Sequence, residues 1–446
     1  MTPQIKIQGA LDQAIVEAGA GGNCVVLLVD RGNEFLVERG IHNAAATPME
    51  QYYQLGSLSK FITAAACLSL GEQGVLGLDD PLQFAEHLIP RYLSQRVAIT
   101  PRQILHHITG LNVRSVPGYP RDEDIPTLAE VIAGQGRSPA LAFTGIPMGR
   151  VVYSSGAFTL LQAELEESHD LPGLLLDAIR NISPSATILA ESPTGPESTL
   201  TAKGFIHSAI PVPHGSLHYP EICAGGLWAR PQDLMSLLID IAPHLRGAGS
   251  NNTVSSRIRN ELLSLHLHPK MAMSVLVDED RDGRTYYHHQ GASAGFTTEF
   301  VSYPHEDVHI VAMASAAVTP PELRTVVKQA LAASSVSPST APMPGVLPES
   351  TPSTESHTEA VGTYAGDSLE AEVAAEIVTV RTRSGFELEL RRTAPYLYSV
   401  PGEPYPRCVI EGERLRFSDG SRLYRLNRSP SSKQKDRWLR CPTPSC

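Results

Sequence analysis

The sequence predicts a mixed α+β unit followed by a small all-β unit. Three observations carry that reading. A tract from Ser334 to Ser356, SSVSPSTAPMPGVLPESTPSTES, is dense in Ser, Thr and Pro and nearly free of large apolar side chains. Such a stretch buries too little to fold and reads as an extended linker. Ahead of it, helix-period and strand-period segments alternate along about 330 residues. Behind it, short period-two runs are joined by turn dipeptides. The boundaries that follow are 1–333 for the large domain, 334–360 for the linker, 361–430 for a small antiparallel β domain and 431–446 for a loose tail.

In chain order, Gln4 to Ala18 has helical spacing. Cys24–Val29 and Glu34–Glu38 read as strands joined by the turn Asp30-Arg31-Gly32-Asn33. Ser57 to Glu72 is a strong helix carrying Phe61, Ile62, Ala65, Leu68 and Leu70, and it ends before Gly74. Phe158 to Glu167 and Pro231 to Ile241 read as further helices, the latter opened by Arg230-Pro231. Met271–Val277, Thr297–Ser302 and Val308–Ala312 are strand-like. Val113–Met148 and Ser183–Pro220 are long Pro/Gly-rich stretches of the kind that form rims and lids. In the small unit, Val378–Val380, Phe386–Leu390, Val409–Ile410, Leu415–Phe417 and Leu423–Leu426 flank turn signals at Ser384-Gly385, Glu411-Gly412-Glu413 and Asp419-Gly420. A small antiparallel barrel or sandwich follows.

Composition narrows the function classes. The chain is 42% hydrophobic and 19% charged, as expected of a globular protein rather than a disordered one. Its formal charge of -11 argues against nucleic acid or an anionic membrane as the main partner. The excess is unevenly placed: residues 361–446 hold 14 Lys/Arg against 11 Asp/Glu, too small a surplus for a nucleic-acid site. Six cysteines are scattered without a CxxC pair and read as reduced thiols. The start, MTPQIKIQGALDQ, shows no basic region leading into an apolar one, so a cytoplasmic location is expected. No apolar run is long enough to span a bilayer.

Three motifs carry chemistry. Gly56-Ser57-Leu58-Ser59-Lys60 opens the strong helix. Three residues apart, Ser57 and Lys60 project from one helix face. A serine hydroxyl becomes a nucleophile when a nearby base takes its proton. A lysine serves as that base when burial or neighbouring positive charge lowers its proton affinity. The helix start adds backbone N–H donors beside the serine. By itself SxxK also reads as an N-cap serine followed by a solvated lysine. The second motif is Tyr153-Ser154-Ser155-Gly156, between strand-like Val151-Val152 and a helix. A phenol beside an ammonium group loses its proton more readily and shuttles it; a core tyrosine beside a turn is the plainer alternative. The third is His289-Gln290-Gly291-Ala292-Ser293-Ala294-Gly295-Phe296. Here an edge strand offers N–H groups to a carbonyl, the glycines admit close backbone approach, and His289 donates a hydrogen bond or relays a proton. A glycine-rich turn with two incidental histidines is the alternative.

Together the three motifs resemble the pattern of the serine β-lactamase and penicillin-binding-protein superfamily, in its class C β-lactamase and esterase branch. Further stretches are similar in the same order: Leu76-Gly77-Leu78-Asp79-Asp80-Pro81, Ile99 to Leu111, and Ala224-Gly225-Gly226-Leu227 through Leu234. The resemblance runs from about residue 10 to 330. It implies an antiparallel sheet sandwiched with helices and an inserted all-α region. It also implies that Ser57 is the acyl-forming nucleophile, that Lys60 and Tyr153 share base and acid work, and that backbone N–H groups of Ser57 and Ala292 form an oxyanion hole. His289 stands where β-lactamases place the lysine of a KTG motif. Ser155 takes the place of the family's asparagine, and Ser155, Gly291 and Trp228 are expected at the substrate. These two departures weaken an antibiotic-resistance reading. An esterase, thioesterase or transacylase remains, on a small-molecule ester, thioester or amide, free or carrier-bound, with secondary metabolism as the expected setting. The β unit resembles the lipocalin-like appendage of some esterases, D-aminopeptidases and peptide-cyclising thioesterases, and Val361-Gly362-Thr363-Tyr364 is typical of its opening.

Rivals come from other classes. Gly291 to Gly295 matches the GxSxG nucleophile elbow, which requires a strand before and a helix after, whereas a strand-like run follows here. No cofactor or metal is expected: His106-His107 and His288-His289 are adjacent pairs that do not share a face, and no HExxH or Cys cluster exists. A non-catalytic binding protein on the same fold needs none of Ser57, Lys60 and Tyr153. The sequence leaves the oligomeric state open.

Overall fold

A computed structural model describes residues 2–18, 22–40, 46–83, 88, 98–144, 151–192, 200–207, 210–245, 271–316 and 318–337. In the C-terminal part it describes 362–365, 369–374, 376–382, 387–394, 397–399, 408–411, 414–418 and 423–429. The chain divides into two compact units, Met1–Ala341 and Pro342–Cys446.

The large unit is built on a seven-stranded antiparallel sheet. Its strands are β1 (Cys24–Asp30), β2 (Asn33–Arg39), β3 (Met271–Ala272), β4 (Val275–Glu279), β5 (Thr285–Ser293), β6 (Phe296–Tyr303) and β7 (Val308–Ala314), in the spatial order β2-β1-β7-β6-β5-β4-β3. β6 and β7 are buried along their whole length, so their apolar runs lie at the sheet centre. One long excursion, between β2 and β3, carries most of the helices. They are α2 (Leu58–Glu72), α3 (Ser155–Glu166), α4 (Leu171–Arg180) and α5 (Pro231–Leu245), with α1 (Pro3–Ala18) and α6 (Pro320–Ala333) at the ends of the unit. α1 and α6 pack on one another.

α2 is buried from Leu58 to Leu70. A helix apolar nearly all round belongs inside a core, so the few polar residues on it stand out. It ends as the sequence requires: Gly74 adopts φ +71°, which continues the chain out of the helix without a Cβ clash.

Several elements differ from the sequence expectation. Met271–Val277 is two strands rather than one, because Met273 and Ser274 both take positive φ, +46° and +60°, and turn the chain back. Thr285–Ser293 is a nine-residue strand whose end forms a tight turn through Gly295, φ +78°. α3 begins three residues earlier than its apolar period, capped by Ser154, whose hydroxyl accepts from the Ala157 N–H. α5 runs through Pro243 to Leu245. α4 was hidden by its Pro172-Gly173 pair, which falls in the first turn after the N-cap Asp170, where proline is tolerated. The Val113–Met148 stretch contains a short helix, Leu128–Ile132, with a Thr127/Glu130 capping box. The Ser/Thr/Pro tract begins packed: Ser335 bonds to the Asp30 carboxylate, and the Val336 carbonyl accepts from Arg284. Its remainder from 338 lies outside the described residues, as do residues 431–446 and the turns at Ser384-Gly385 and Asp419-Gly420.

The small unit is a closed eight-stranded barrel: β8 (Gly362–Ala365), β9 (Leu369–Val373), β10 (Ile377–Thr382), β11 (Glu387–Ala394), β12 (Leu397–Ser399), β13 (Cys408–Glu411), β14 (Arg414–Ser418) and β15 (Leu423–Arg428). Each strand pairs with the next and β8 closes on β15. Period-two alternation turns Ala371, Val373, Val378, Val380 and Leu390 inward onto Tyr364, Tyr398 and Leu415. The small barrel's interior is thus filled with side chains.

Candidate active site

The site forms where the start of α2 meets the free half of β5. β4 pairs with β5 only from Thr285 to His288, so the run from His289 to Ser293 lacks that neighbour. The segment Gln54–Leu55–Gly56 lies against it. The Ser293 hydroxyl donates to Gln54 Oε1 at 2.8 Å, and Thr298 Oγ1 donates to the Leu55 carbonyl at 2.9 Å. Glycine is required on both sides of this contact. A Cβ on Gly291 would lie 1.9 Å from the Leu55 carbonyl oxygen, and one on Gly56 would lie 2.6 Å from Ala292 N. Gly56 also takes φ +53°, a conformation open to glycine. The turn delivers Ser57 to the helix N-cap, half-buried where its neighbours are buried, directly after Gly56, whose backbone lies against that of Ala292.

Lys60 follows one helical turn on. Its side chain has no exposed surface. Its Nζ lies 3.4 Å from Ser57 Oγ and donates to the Ala224 carbonyl at 2.6 Å. That carbonyl belongs to a single π-helical turn, Ile222–Gly226, clamped to α2 by two more polar residues of the helix. Thr63 donates to the Cys223 carbonyl and Ser59 Oγ accepts from the Leu227 N–H. Burial and the nearby Arg114 guanidinium lower the Lys60 pKa to about 7, against the pull of the Glu221 carboxyl. At neutral pH a large fraction of Lys60 is therefore free amine, able to take a proton.

Tyr153 faces the same amine, with Lys60 Nζ 5.0 Å from its ring centroid. The ring is stacked on His107 at 4.4 Å between centroids, with Arg114 on it at 5.7 Å. His107 was not singled out as a site residue. It takes φ +56° and is fully buried. Its Nδ1 accepts the Ser154 N–H at 3.2 Å, which places the ring proton on Nε2, 3.3 Å from Ser274 Oγ. Burial, then Lys60, keep its pKa well below the ordinary value, so it is a neutral prop for Tyr153. The signal for it was its place in the Ile99–Leu111 stretch.

His289 also neighbours Tyr153, 6.3 Å between ring centroids. Burial, followed by Lys60, lowers its pKa to about 3. The imidazole is neutral, and its buried Nδ1 has no hydrogen-bond partner. Next to it, Gln290 donates to Glu299, which pairs with Arg324 of α6. Ser155 is turned inward, its hydroxyl donating to the Arg114 carbonyl at 2.7 Å. It thereby fixes the loop that carries Arg114. Trp228 is buried edge-on against Phe296, in a small ribbon with Tyr53–Gln54 and Ile188–Leu189. Gly291 and Ala292 stand beside the nucleophile turn, while Trp228 is buried and the Ser155 hydroxyl bonds the Arg114 carbonyl. Among the described residues, no group of His, Cys, Asp or Glu is arranged to hold a metal ion. Cys24, Cys67 and Cys223 are free buried thiols, and no described helix is long and apolar enough to cross a membrane.

An antiparallel sheet flanked by helices, with a serine and a buried lysine opening the central helix, is the architecture of lactamase-type serine hydrolases. The sequence matches the Beta-lactamase family over residues 11–334, and the chain belongs to that family. Solved structures share the fold. SurE is 19% identical, with 96% of this chain and 99% of that chain covered at a TM-score of 0.58. The octameric penicillin-binding protein homologue from Pyrococcus abyssi is 18% identical, with 94% and 99% covered at 0.57. The class C β-lactamase from Rhodobacter sphaeroides is 18% identical, with 73% and 98% covered at 0.54. No curated protein sequence matches the chain.

Proposed function

We propose that the chain is an acyl-transferring serine enzyme, an esterase, thioesterase or transesterase working through a Ser57 acyl-enzyme. The observation that carries this reading is the Ser57–Lys60 pair, a half-buried hydroxyl 3.4 Å from a fully buried amine of lowered pKa. In the forward step Lys60 takes the Ser57 proton and Oγ bonds to the acyl carbon. The carbonyl electrons move onto oxygen, which the N–H groups of Ser57 and Ala292 receive. As the tetrahedral species collapses, the bond to the leaving group breaks and Tyr153 passes a proton to it. Water, an alcohol or an amine then attacks the acyl-enzyme by the reverse path. His289, neutral and in the place of a KTG lysine, supplies no cation for a substrate carboxylate, which favours an uncharged acyl donor over a β-lactam.

A second reading, peptide cyclisation or D-amino-acid release, draws on one observation. SurE, whose structure was also solved with D-Leu, aligns over both units of this chain. A small acyl substrate, free or carrier-bound, fits either reading, and the octameric relative supports an oligomer. The test is intact mass after incubation with a fluorophosphonate, followed by turnover of p-nitrophenyl esters with added alcohols, amines or D-leucine. One adduct that disappears in Ser57→Ala supports the mechanism. An adduct that persists and maps to Ser293 defeats it, and so does no adduct at all.

A further inference from the structure

Glu221 is a buried carboxyl that the acyl-transfer scheme leaves unused. It has no exposed surface, and neither carboxyl oxygen takes a hydrogen bond from another residue. An unsatisfied acid in a protein interior is expensive and calls for a reason. Its position supplies one. The Glu221 carbonyl accepts the N–H groups of Ala224 and Gly225 at 3.1 and 2.9 Å, so the residue anchors the π-turn. Three residues on, the Ala224 carbonyl holds Lys60 Nζ. Glu221 and Lys60 are thus fixed on two sides of one turn, and each acts electrostatically on the other.

The groups around the amine are Ser57 on its own helix, Glu221 on the π-turn, Arg114 on the loop before Tyr119, Tyr153 before α3, His107 on its turn and His289 on β5. Both histidines are neutral. Arg114 drives the proton off Lys60 and Glu221 draws it back. Among the described residues, Tyr219 also faces Glu221.

We propose that Glu221 is a positioning residue that sets, through Lys60, the pH at which Ser57 becomes reactive. The inference rests on the acyl-enzyme reading above. Burial has already brought the free carboxyl to a pKa of about 7, so its charge changes in the range where the lysine titrates. Such a pair titrates as a unit.

The experiment is the rate of Ser57 phosphonylation by a fluorophosphonate between pH 5 and 9, read by intact mass in wild type, Glu221→Gln and Glu221→Asp. Removing the negative charge lowers the proton affinity of Lys60. The midpoint of Glu221→Gln therefore moves to lower pH, and its labelling rate pulls ahead of wild type as the pH rises through about 7, where the wild-type carboxyl becomes charged. Glu221→Asp returns the midpoint toward wild type. An unmoved midpoint in Glu221→Gln overturns the proposal, whatever happens to the rate, because a purely structural residue changes amount and not midpoint. If Glu221→Gln does not fold, the reciprocal titration decides. The 13C carboxyl signal of Glu221, assigned with Glu221→Asp, titrates at higher pH in Lys60→Met, and an unchanged titration overturns the proposal. Absence of labelling in wild type at every pH is a different result, the failure of the acyl-enzyme reading itself.

Discussion

Lys60 reaches Ser57 across one helical turn, Nζ to Oγ 3.4 Å, with no part of the lysine exposed. A lysine in water holds its proton near pH 10.5; here burial and Arg114 bring the value to about 7. Acylation therefore rises with pH through an acidic limb centred near 7, where the amine becomes free. Lys60→Arg, which stays protonated, loses the activity at all pH values. A limb centred near pH 4 or 9 would contradict this assignment.

The same burial carries a stability cost whose pH dependence is fixed in sign. Below pH 7 the lysine is charged in both folded and unfolded chains, and the folded state bears the full desolvation penalty. Between about 7 and 10.5 the unfolded chain binds the extra proton, so stability rises with pH. Lys60→Met should melt higher than wild type at pH 6, with the gain shrinking as pH rises above 7. A gain independent of pH would mean that the methionine simply packs better.

Gly56 and Gly291 set the distance between the nucleophile turn and β5. Alanine at 291 places its Cβ against the Leu55 carbonyl, and alanine at 56 adds an unfavourable φ of +53° to a clash with the Ala292 backbone. Either substitution pushes Ser57 away from Ala292. A displacement of about 1 Å costs roughly 100-fold in rate, so kcat/KM for an activated ester should fall by about that factor. The fold should lose about 1–3 kcal/mol in urea unfolding. Wild-type kinetics in Gly291→Ala would remove β5 from the site.

Much of this was readable because it is local. The Gly-Ser-x-x-Lys spacing, the helix from Ser57, the β1–β2 hairpin and the Ser/Thr/Pro boundary depend on neighbours within a turn or two. What escaped depends on long-range contact. Glu221, His107 and the Ala224 carbonyl matter because of what the fold brings to them. Nothing in YPEICAGG announces a buried acid near a lysine 161 positions earlier in the chain. An edge strand at His289–Phe296 was readable, but its extent, Thr285–Ser293, was not, because Gly291 and Gly295 also look like a loop. In the structure one glycine admits the Leu55 carbonyl and the other makes the turn. The burial of Ser155 and Trp228 is likewise set by long-range partners, the Arg114 carbonyl and Phe296.

His289 is neutral across the physiological range, its pKa lowered to about 3. The acidic limb near pH 7 is therefore not a histidine titration, although the value would suggest one. In 15N spectra the His289 ring should show no protonation shift between pH 5 and 8. His289→Gln should lower the acylation rate and leave the midpoint of the limb in place. Movement of the midpoint by more than the scatter of the wild-type fit would transfer the base role to the imidazole.

The alignment of β5 depends on a brace behind it. Glu299 on β6 is fully buried, with Arg324 of α6 at 2.6 Å on one oxygen and Gln290 at 2.8 Å on the other. Burial raises the Glu299 pKa and the arginine opposes that rise. Arg324→Met leaves the acid without its counter-charge, and breaking such a pair from one side costs about 3–5 kcal/mol. Replacing both partners, Arg324→Met with Glu299→Leu, should recover most of that loss, since the residual cost is repacking rather than an unpaired charge. The activity should follow a different order. Arg324→Met leaves Gln290 its bonds to Glu299 and the Pro320 carbonyl, whereas Glu299→Leu in the double variant removes the first of them, so His289 and Gly291 on either side of Gln290 lose their register. The double variant is then stable and slow. Urea unfolding and ester turnover on the same three proteins separate the two effects, and parallel recovery of stability and rate would show that the brace does not align the site.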